Sequence, residues 1–505
     1  MPGTDLPQPV ALEELPADAE ACDVVVIGFG IAGGCAALEA ARALRAARSS
    51  LATSSGTTGA RVVLLERAAV HGGTSAMSGG HFYLGGGTAV QEATGHEDSA
   101  EAMYDYLMAV SADPDPAKVR AYCEGSVEHF DWLEALGFTF ERSFYPEKAV
   151  IQPGTQGLMY TGNEKVHPFR DLATPAPRGH KVPAPGETEG TRLVMDLLRD
   201  RLAETSAEVR YETAVTALVT DAAGAVVGVR WKRFSATGYL RARAVVIAAG
   251  GFVMNTDMVA EHTPELAAKP FVLGSTYDDG LGIRLGRSVG GGTAFMDEAF
   301  ITAPFYPPAS LVTGILVNKR GERFVAEDSY HARTSGFVMD QPDSAAYLIV
   351  DSAHIAHPAF PLAPFIDGWE SVEEMEKALG LPTGSLVATL ARYNEHAARG
   401  EDPDFGKHPD WLAPQDHGPW GAFDLTLGKA LYAGFTLGGL TTDVDARVTR
   451  PDGGVVPGLY AVGACASNLA QDGKGYASGT QLGEGSFFGR RAGRHAAAAA
   501  ATGSV

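Results

Sequence analysis

Three glycines and one acid supply the first chemistry in this chain. Gly28, Gly30 and Gly33 lie in residues 24–34 (VVVIGFGIAGG), directly after an apolar β-branched run. In such a G-x-G-x-x-G turn the first glycine lets the chain reverse and the second lets backbone amides approach a pyrophosphate. The third lets the next helix pack against the strand. That helix presents free N–H groups and partial positive charge to the same phosphate. Glu66 ends RVVLLE and stands where an acid can bind the hydroxyl pair of a ribose. Residues 70–87 (VHGGTSAMSGGHFYLGGG) then cluster glycines with the Thr74, Ser75 and Ser78 hydroxyls, a combination able to bring polar backbone against a flat ligand.

These groups need a strand, a tight turn and a helix in that order. The run at Val24 predicts the strand, and an alanine-rich segment from about Ala36 to Ala47 predicts the helix. Residues 61–66 read as a second, parallel strand. About thirty residues separate Gly33 from Glu66, whereas about twenty is usual; the excess is the polar run 49–59 (SSLATSSGTTG), read as a surface loop. Helices are expected at 99–110 and 116–136. Residues 146–190, rich in Pro and Gly and carrying Gln156, Tyr160, His167 and Arg170, read as an irregular wall over the ligand. Residues 209–251 read as a small antiparallel meander followed by a further buried strand at 244–249. From Asp278, DDGLGIRLGRSVGGG predicts a turn and a short amphipathic helix.

Residues 293–429 differ in character, with interspersed aromatics and prolines, a strand-like GILVNKRGERFVAED, and helices near 371–379 and 383–399. The C-terminal stretch returns to nucleotide-domain composition: GLYAVGAC, the glycine-rich DGKGYASGTQLGEGS and an alanine-rich helix to about Ala500. The expected organisation is α/β: a Rossmann-like domain with an antiparallel β-meander, formed by 1–292 and 430–505 and interrupted by an inserted α+β domain at 293–429. A ligand is then expected between the two.

The chain has 505 residues, 45% of them hydrophobic, enough for two domains with a large core. Its 61 acids against 40 Lys and Arg give a formal net charge of −21, which disfavours nucleic acid and anionic membranes as partners. Cys22, Cys35, Cys123 and Cys465 show no CxxC pairing or metal-ligand spacing. They read as packing residues of a reduced, cytoplasmic protein with no bound metal. The first twenty-two residues lack an apolar signal core and read as a loosely packed arm. No segment approaches the roughly twenty apolar residues of a membrane span.

Taken together, GFGIAGG, HGGTSAMSGG, ARAVVIAAGGF, DDGLGIRLG, GERFVAED, GLYAVGAC and GTQLGEGSFFGRRAG resemble the FAD-dependent flavoproteins that include fumarate reductases and 3-ketosteroid dehydrogenases. The resemblance covers nearly the whole chain, apart from the N-terminal arm, the Ser/Thr run and parts of the inserted domain. It implies FAD lying extended through the first domain, with its ring at the domain interface. Besides Gly28, Gly30, Gly33, Glu66, Thr74, Ser75 and Ser78, it implies FAD contacts from Ile31, Ala32, Arg67, Gly73, Gly79 and Gly80. It extends these to Ala214, Val215, Ala249, Gly250 and Asp279, and to Gly463, Ala464, Gly485 and Ser486 near the C-terminus. Ala464 stands where relatives often hold an acid, so that contact must come from backbone or elsewhere. His71 reads as a loop residue and not as an attachment point, so the FAD is expected to be non-covalent.

Within this family the substrate is argued from individual positions. Fumarate-reductase-like members hold an Arg in the RFV-E segment and another just before the C-terminal Leu-Gly. Here Gln481 precedes Leu482, and Glu327 is followed by Asp328, Ser329, Tyr330 and His331. The fixed guanidinium pairs that suit a dicarboxylate are absent in register. Tyr330, Tyr476 and Ser478 stand there instead, and such groups suit a neutral ketone. The run DGKGYASGTQLGEGSFFGRRAG is most similar to 3-ketosteroid dehydrogenases acting at the 4,5 bond of 5α-reduced steroids. The resemblance implies that Tyr476 and a backbone N–H near Gly479 polarise the C3 carbonyl, that Ser478 and Tyr330 take the α-proton, and that the β-hydrogen leaves as hydride. The alternatives are 1,2-dehydrogenation of a 3-ketosteroid, or reduction or oxidation of a small acid drawing on Arg284, Arg287, Arg333 and His331. The electron acceptor is not specified.

Overall fold

The computed structural model describes residues 5–51, 61–185, 190–267, 271–467 and 469–502. An apolar run without polar alternation implies a strand covered on both faces, and Val24, Val25 and Val26 are all fully buried. They belong to a nine-stranded sheet made of β1 (Val10–Ala11), β2 (Glu20–Ile27), β3 (Val62–Leu65), β4 (Glu208–Arg210), β5 (Ala214–Thr220), β6 (Val226–Arg233), β7 (Ala236–Ile247), β8 (Arg447–Thr449) and β9 (Val455–Ala461). Five of these strands are parallel, in the order β9, β7, β2, β3, β4. β5, β6 and the first half of β7 form the antiparallel meander.

Several expectations change here. β7 is one strand, pairing antiparallel with β6 through its first half and parallel with β2 through its second. The separate strand expected at 244–249 is therefore its far end, because no glycine or proline interrupts residues 239–247. The segment read as the meander's first strand splits at 211–213, where Glu212 takes φ 55°; its first part, β4, joins the parallel edge instead. The N-terminal arm, from Asp5 onward, is tied down. β1 pairs with β5, and Val10 and Leu15 bury against Ala217 and Val219.

Three helices matter to the site: α1 (Ile31–Leu51), α2 (His331–Met339) and α3 (Thr480–Thr502). α1 runs past its expected end, so residues 49–51 of the expected loop are helical, while 52–59 lie outside the described residues. α1 and α3 pack backbone to backbone. A Cβ at Gly489 would lie 2.3 Å from the Ala32 carbonyl oxygen, and one at Gly493 2.2 Å from that of Ala36. The helices expected at 99–110 and 116–136 form as Ala100–Val110 and Pro116–Leu136, with Ser99 and Asp115 as N-caps.

The wall at 146–190 is less irregular than expected. Gly179–Lys181 pairs with His81–Tyr83 on one side and with Leu158–Met159 on the other in a three-stranded antiparallel sheet, and Phe169–Leu172 forms one helical turn. Strands of two or three residues carry no legible periodicity. Within the region of different character, Ile315–Asn318, Ala346–Asp351, Trp420–Asp424 and Phe365–Trp369 build an antiparallel sheet. Its Ile315, Val317 and Ile349 pack against Met375, Leu386 and Leu390 of the two helices Val372–Ala378 and Ser385–Ala397. Ala299–Thr302 pairs with Ala433–Thr436, which brings Phe300 and Phe435 side by side.

Candidate active site

A cavity of about 760 Å³ runs from the glycine turn between β2 and α1 to the loop before α3. At the turn, Gly28 has φ +100° and a Cβ there would sit 2.4 Å from the Ala248 carbonyl oxygen, so no other residue fits. A Cβ at Gly30 would instead project beside the Ser75 hydroxyl at 3.2 Å, into space its absence leaves for a ligand. Ser75 Oγ accepts from the Ile31 amide at 3.1 Å, and the Ala32 and Gly33 amides in the first turn of α1 have no intrahelical acceptor. This is a cradle for a pyrophosphate, and the residues present fit FAD.

Glu66 is tied to the same turn. Its carboxylate accepts from the Phe29 amide at 2.7 Å and the Ala68 amide at 2.6 Å. Each oxygen keeps a lone pair for a ribose hydroxyl. Burial pushes this carboxyl upward, and the amides oppose that shift. Arg67 lies on the cavity but pairs with Asp279 at 2.7 Å and stacks over the Tyr277 ring at 4.2 Å.

The far end is aromatic. Phe300 and Phe435 stack at 4.6 Å, and the Tyr476 ring meets them edge-on at 4.9 and 5.7 Å. Tyr476, Ser478 and Gly479 all line the cavity. Gly479, at φ +97°, presses against the Tyr83 amide nitrogen, which a Cβ would approach to 2.7 Å. Its carbonyl accepts from the Tyr83 and Gly483 amides, while its own N–H has no partner among the described residues. Tyr330 is not on the cavity surface. It reaches the site through Ser478, whose Oγ lies 2.6 Å from the Tyr330 hydroxyl. Burial pushes both phenols up, Tyr330 well above the ordinary range, so both stay protonated at neutral pH and serve as donors.

Of the other residues expected at the cofactor, Gly73, Thr74, Ser78, Gly79, Val215, Ala249, Gly250, Gly463 and Ala464 line the cavity. Six do not. Gly33 lies beneath the turn, where a Cβ would meet the Gly28 carbonyl oxygen at 2.0 Å. Gly80 packs on Val182, and Asp279 is turned to Arg67. Ala214 is the neighbour of Val215 on β5 and faces the other side of the sheet. Gly485 lies on α3 near Ile31 and Ala32. The Ser486 hydroxyl donates back to the Leu482 carbonyl at 2.7 Å and meets His129 at 2.9 Å, turned into the helix packing. These last two follow from helical geometry: only the first turn of α3 can face the cavity.

Sequence reasoning passed over Asp278. Its carboxyl lies on the cavity and accepts from the Thr74 hydroxyl and from the Ser275 amide at 3.2 Å. Burial pushes it up to about 6. The Asp-Asp pair was a visible signal, but adjacent residues of a turn point apart and only the fold decides which one meets the ligand. His331 also lines the cavity, with Nδ1 2.6 Å from the Thr302 hydroxyl. Burial holds its imidazole down to about 3, with Lys148 adding to the effect, so it is neutral. His71 Nε2 meets Asp196 at 2.8 Å. Away from the cavity, Asp351, Asp416 and His417 bring potential ligand atoms within 4.8 Å of one another. Asp351 already accepts from the Ala353 and His417 amides, each at 3.1 Å. Among the described residues no helix is long and apolar enough to cross a membrane.

Comparison with known proteins agrees with this geometry. The FAD binding domain family matches residues 23–486. Urocanate reductase of Eggerthella lenta is 30% identical over 520 residues, covering 95% of this chain and 75% of its own length. The 3-oxo-5-alpha-steroid 4-dehydrogenase of Comamonas testosteroni is 28% identical over 516 residues, covering 88% of this chain and 92% of its own. Among solved structures, the 3-ketosteroid-delta4-(5alpha)-dehydrogenase from Rhodococcus jostii RHA1, in complex with 4-androstene-3,17-dione, superposes with a TM-score of 0.89. It is 39% identical, over 97% of this chain and 99% of that one. The chain belongs to the FAD binding domain family and is a flavoprotein oxidoreductase.

Proposed function

We propose that this protein catalyses the FAD-dependent α,β-desaturation of a 3-ketosteroid, at the 4,5 bond of a 5α-reduced substrate. The observation that carries this reading is the Tyr476, Ser478 and Gly479 set at the aromatic end of the cavity, with the Tyr330 hydroxyl 2.6 Å from Ser478. The 39% identity to a 3-ketosteroid dehydrogenase of that specificity supports it.

The Tyr476 hydroxyl and the free Gly479 amide donate to the C3 carbonyl oxygen, which makes the adjacent C–H acidic. Ser478 Oγ accepts that proton as its own hydroxyl proton moves to the Tyr330 oxygen and the Tyr330 phenol proton is released to water, so that both hydroxyls end neutral. Neither hydroxyl is a strong base, so stabilisation of the enolate on the Tyr476 side carries most of the barrier reduction. The glycine turn, Glu66 and the Thr74–Ser75 segment would hold FAD non-covalently, and the bound cofactor would supply the two-electron oxidation as acceptor of the β-hydrogen. The bond from His71 Nε2 to Asp196 supports the absence of a histidyl link. Phe300 and Phe435 exclude water and hold the flat rings. The parallel part of the large sheet with α1 and α3 reads as a Rossmann-like unit, and residues 293–429 as the unit that caps it. The unpaired cysteines support a reducing, cytoplasmic setting.

An acid substrate fits less well. Arg284 donates to the Asp5 carbonyl at 3.2 Å, Arg333 stacks over Phe169 and Phe337 at 4.9 and 5.0 Å, and neither these nor Arg287 lines the cavity. Of the arginines that do line it, Arg67 is paired with Asp279 and Arg192 is exposed. The test is anaerobic mixing of the holoenzyme with a panel of substrates. 5α-reduced 3-ketosteroids should bleach the flavin within the turnover time; bleaching by dicarboxylates alone would overturn the assignment.

A further inference from the structure

We infer that Asn163 is a positioning residue for proton abstraction, holding Tyr330 and Ser478 in register from the wall segment 161–164. This rests on the desaturase reading above. Tyr330 and Ser478 come from distant parts of the chain, one at the start of α2 and one just before α3. Between these two backbones Asn163, fully buried, makes a polar bridge. Its Oδ1 accepts from the Tyr330 amide at 2.9 Å, and its Nδ2 donates to the Lys474 carbonyl at 3.4 Å. A donor on one side and an acceptor on the other decide which way the amide faces. Two residues earlier, the Thr161 carbonyl accepts from the Ser478 amide at 2.9 Å.

The segment is itself anchored. The Asn163 amide donates to the Tyr106 hydroxyl at 2.8 Å. Glu164 accepts from the Tyr83 hydroxyl and the Gly162 amide, both at 3.0 Å. A Cβ at Gly162 would come within 2.9 Å of the Ala477 Cβ, so the segment lies directly on the Tyr476–Ser478 loop. Outside, Lys474 Nζ pairs with Asp340 at 2.6 Å, but this exposed pair is screened and holds little. Register across the Tyr330–Ser478 hydrogen bond therefore depends on Asn163. Removing its side chain leaves the buried Tyr330 amide without an acceptor and lets the two hydroxyls separate.

The inference is tested by rapid-reaction flavin reduction in the holoenzyme, using 5α-reduced 3-ketosteroid with and without deuterium at the α-carbon. The proteins compared are the parent, Asn163→Ala, Asn163→Asp, Tyr330→Phe and the double variant. Asn163→Ala should slow reduction roughly 10- to 100-fold, the scale of a ~1 Å misplacement of a reacting group. It should also raise the α-deuterium isotope effect, while keeping FAD occupancy and steroid affinity within about threefold of the parent. Asn163→Asp retains the acceptor for the Tyr330 amide and should recover part of the rate. In the Tyr330→Phe background, Asn163→Ala should cost less than about threefold, because the group it positions is already gone. If Tyr330→Phe is slow and the two losses multiply in full, Asn163 acts elsewhere and the inference fails while the desaturase reading stands. If Tyr330→Phe reduces at the parent rate, the proton relay is wrong and the inference falls with it, while reduction of the flavin by the steroid still supports the desaturase reading. Should Asn163→Ala lose its flavin, the same cycle is read from Asn163→Ser, whose short side chain cannot span both partners.

Discussion

Replacing Tyr476 with phenylalanine isolates one hydroxyl. The ring is buried and meets Phe300 and Phe435 at 4.9 and 5.7 Å, so Tyr476→Phe keeps these ring contacts and the cavity keeps its shape. What is lost is one of the two donors assigned to the C3 carbonyl oxygen; the Gly479 amide remains. Because burial holds the phenol protonated far above neutral pH, the parent donates at every pH at which the protein is assayed. Its effect cannot be mimicked by titration. A single donor to a developing oxyanion is worth about 2.7–4 kcal/mol, and at about 1.4 kcal/mol per factor of ten the rate of flavin reduction should fall roughly 100- to 1000-fold. Steroid affinity should change by less than about tenfold, since the ground-state carbonyl carries little of the charge that forms later. Anaerobic stopped-flow with the holoenzyme over a range of steroid concentrations separates the two effects. A variant that reduces its flavin at the parent rate, or one that loses affinity by the whole factor with the limiting rate unchanged, would refute the assignment.

Acid precipitation should release all of the yellow colour into the supernatant; colour in the pellet would show a covalent link. Steroid affinity should change by less than about twofold between low and high salt, because no ion pair contributes to be screened; a steep loss would indicate an anionic substrate. In the cofactor-free protein Asp278, raised from 3.8 to about 6, favours the folded state fully below pH about 4. That contribution, about 3 kcal/mol, is lost as pH rises through about 6. Asp278→Asn should therefore gain stability relative to the parent between pH 4 and 7 in paired thermal melts, and an equal difference at both ends would exclude the effect. Asp98→Ala, which strands the fully buried Arg178 guanidinium paired to it at 2.7 Å, should cost about 3–5 kcal/mol of unfolding free energy in denaturant titration.

Much of this protein is decided locally and is therefore readable in the chain. The Gly28–Gly33 turn needs only a strand, a positive-φ glycine and a helix N-terminus, all contiguous. The helices at Ala100–Val110 and Pro116–Leu136 carry their own caps and periodicity. The Tyr476–Gly479 loop lies in one run, so its shared orientation toward a ligand is a property of the neighbouring residues. Burial and long-range pairing decided the rest. Val209 and Val215 look alike in sequence, yet one ends on a parallel edge strand and the other in a meander, because Glu212 breaks the backbone between them. Asp278 and Asp279 are chemically identical, and the turn sends one to the cavity and the other to Arg67. Asn163 has no motif around it. Its place between Tyr330 and Lys474 arises only when segments separated by 167 and 311 residues are packed together, a matter of tertiary geometry that no local pattern of residue types contains.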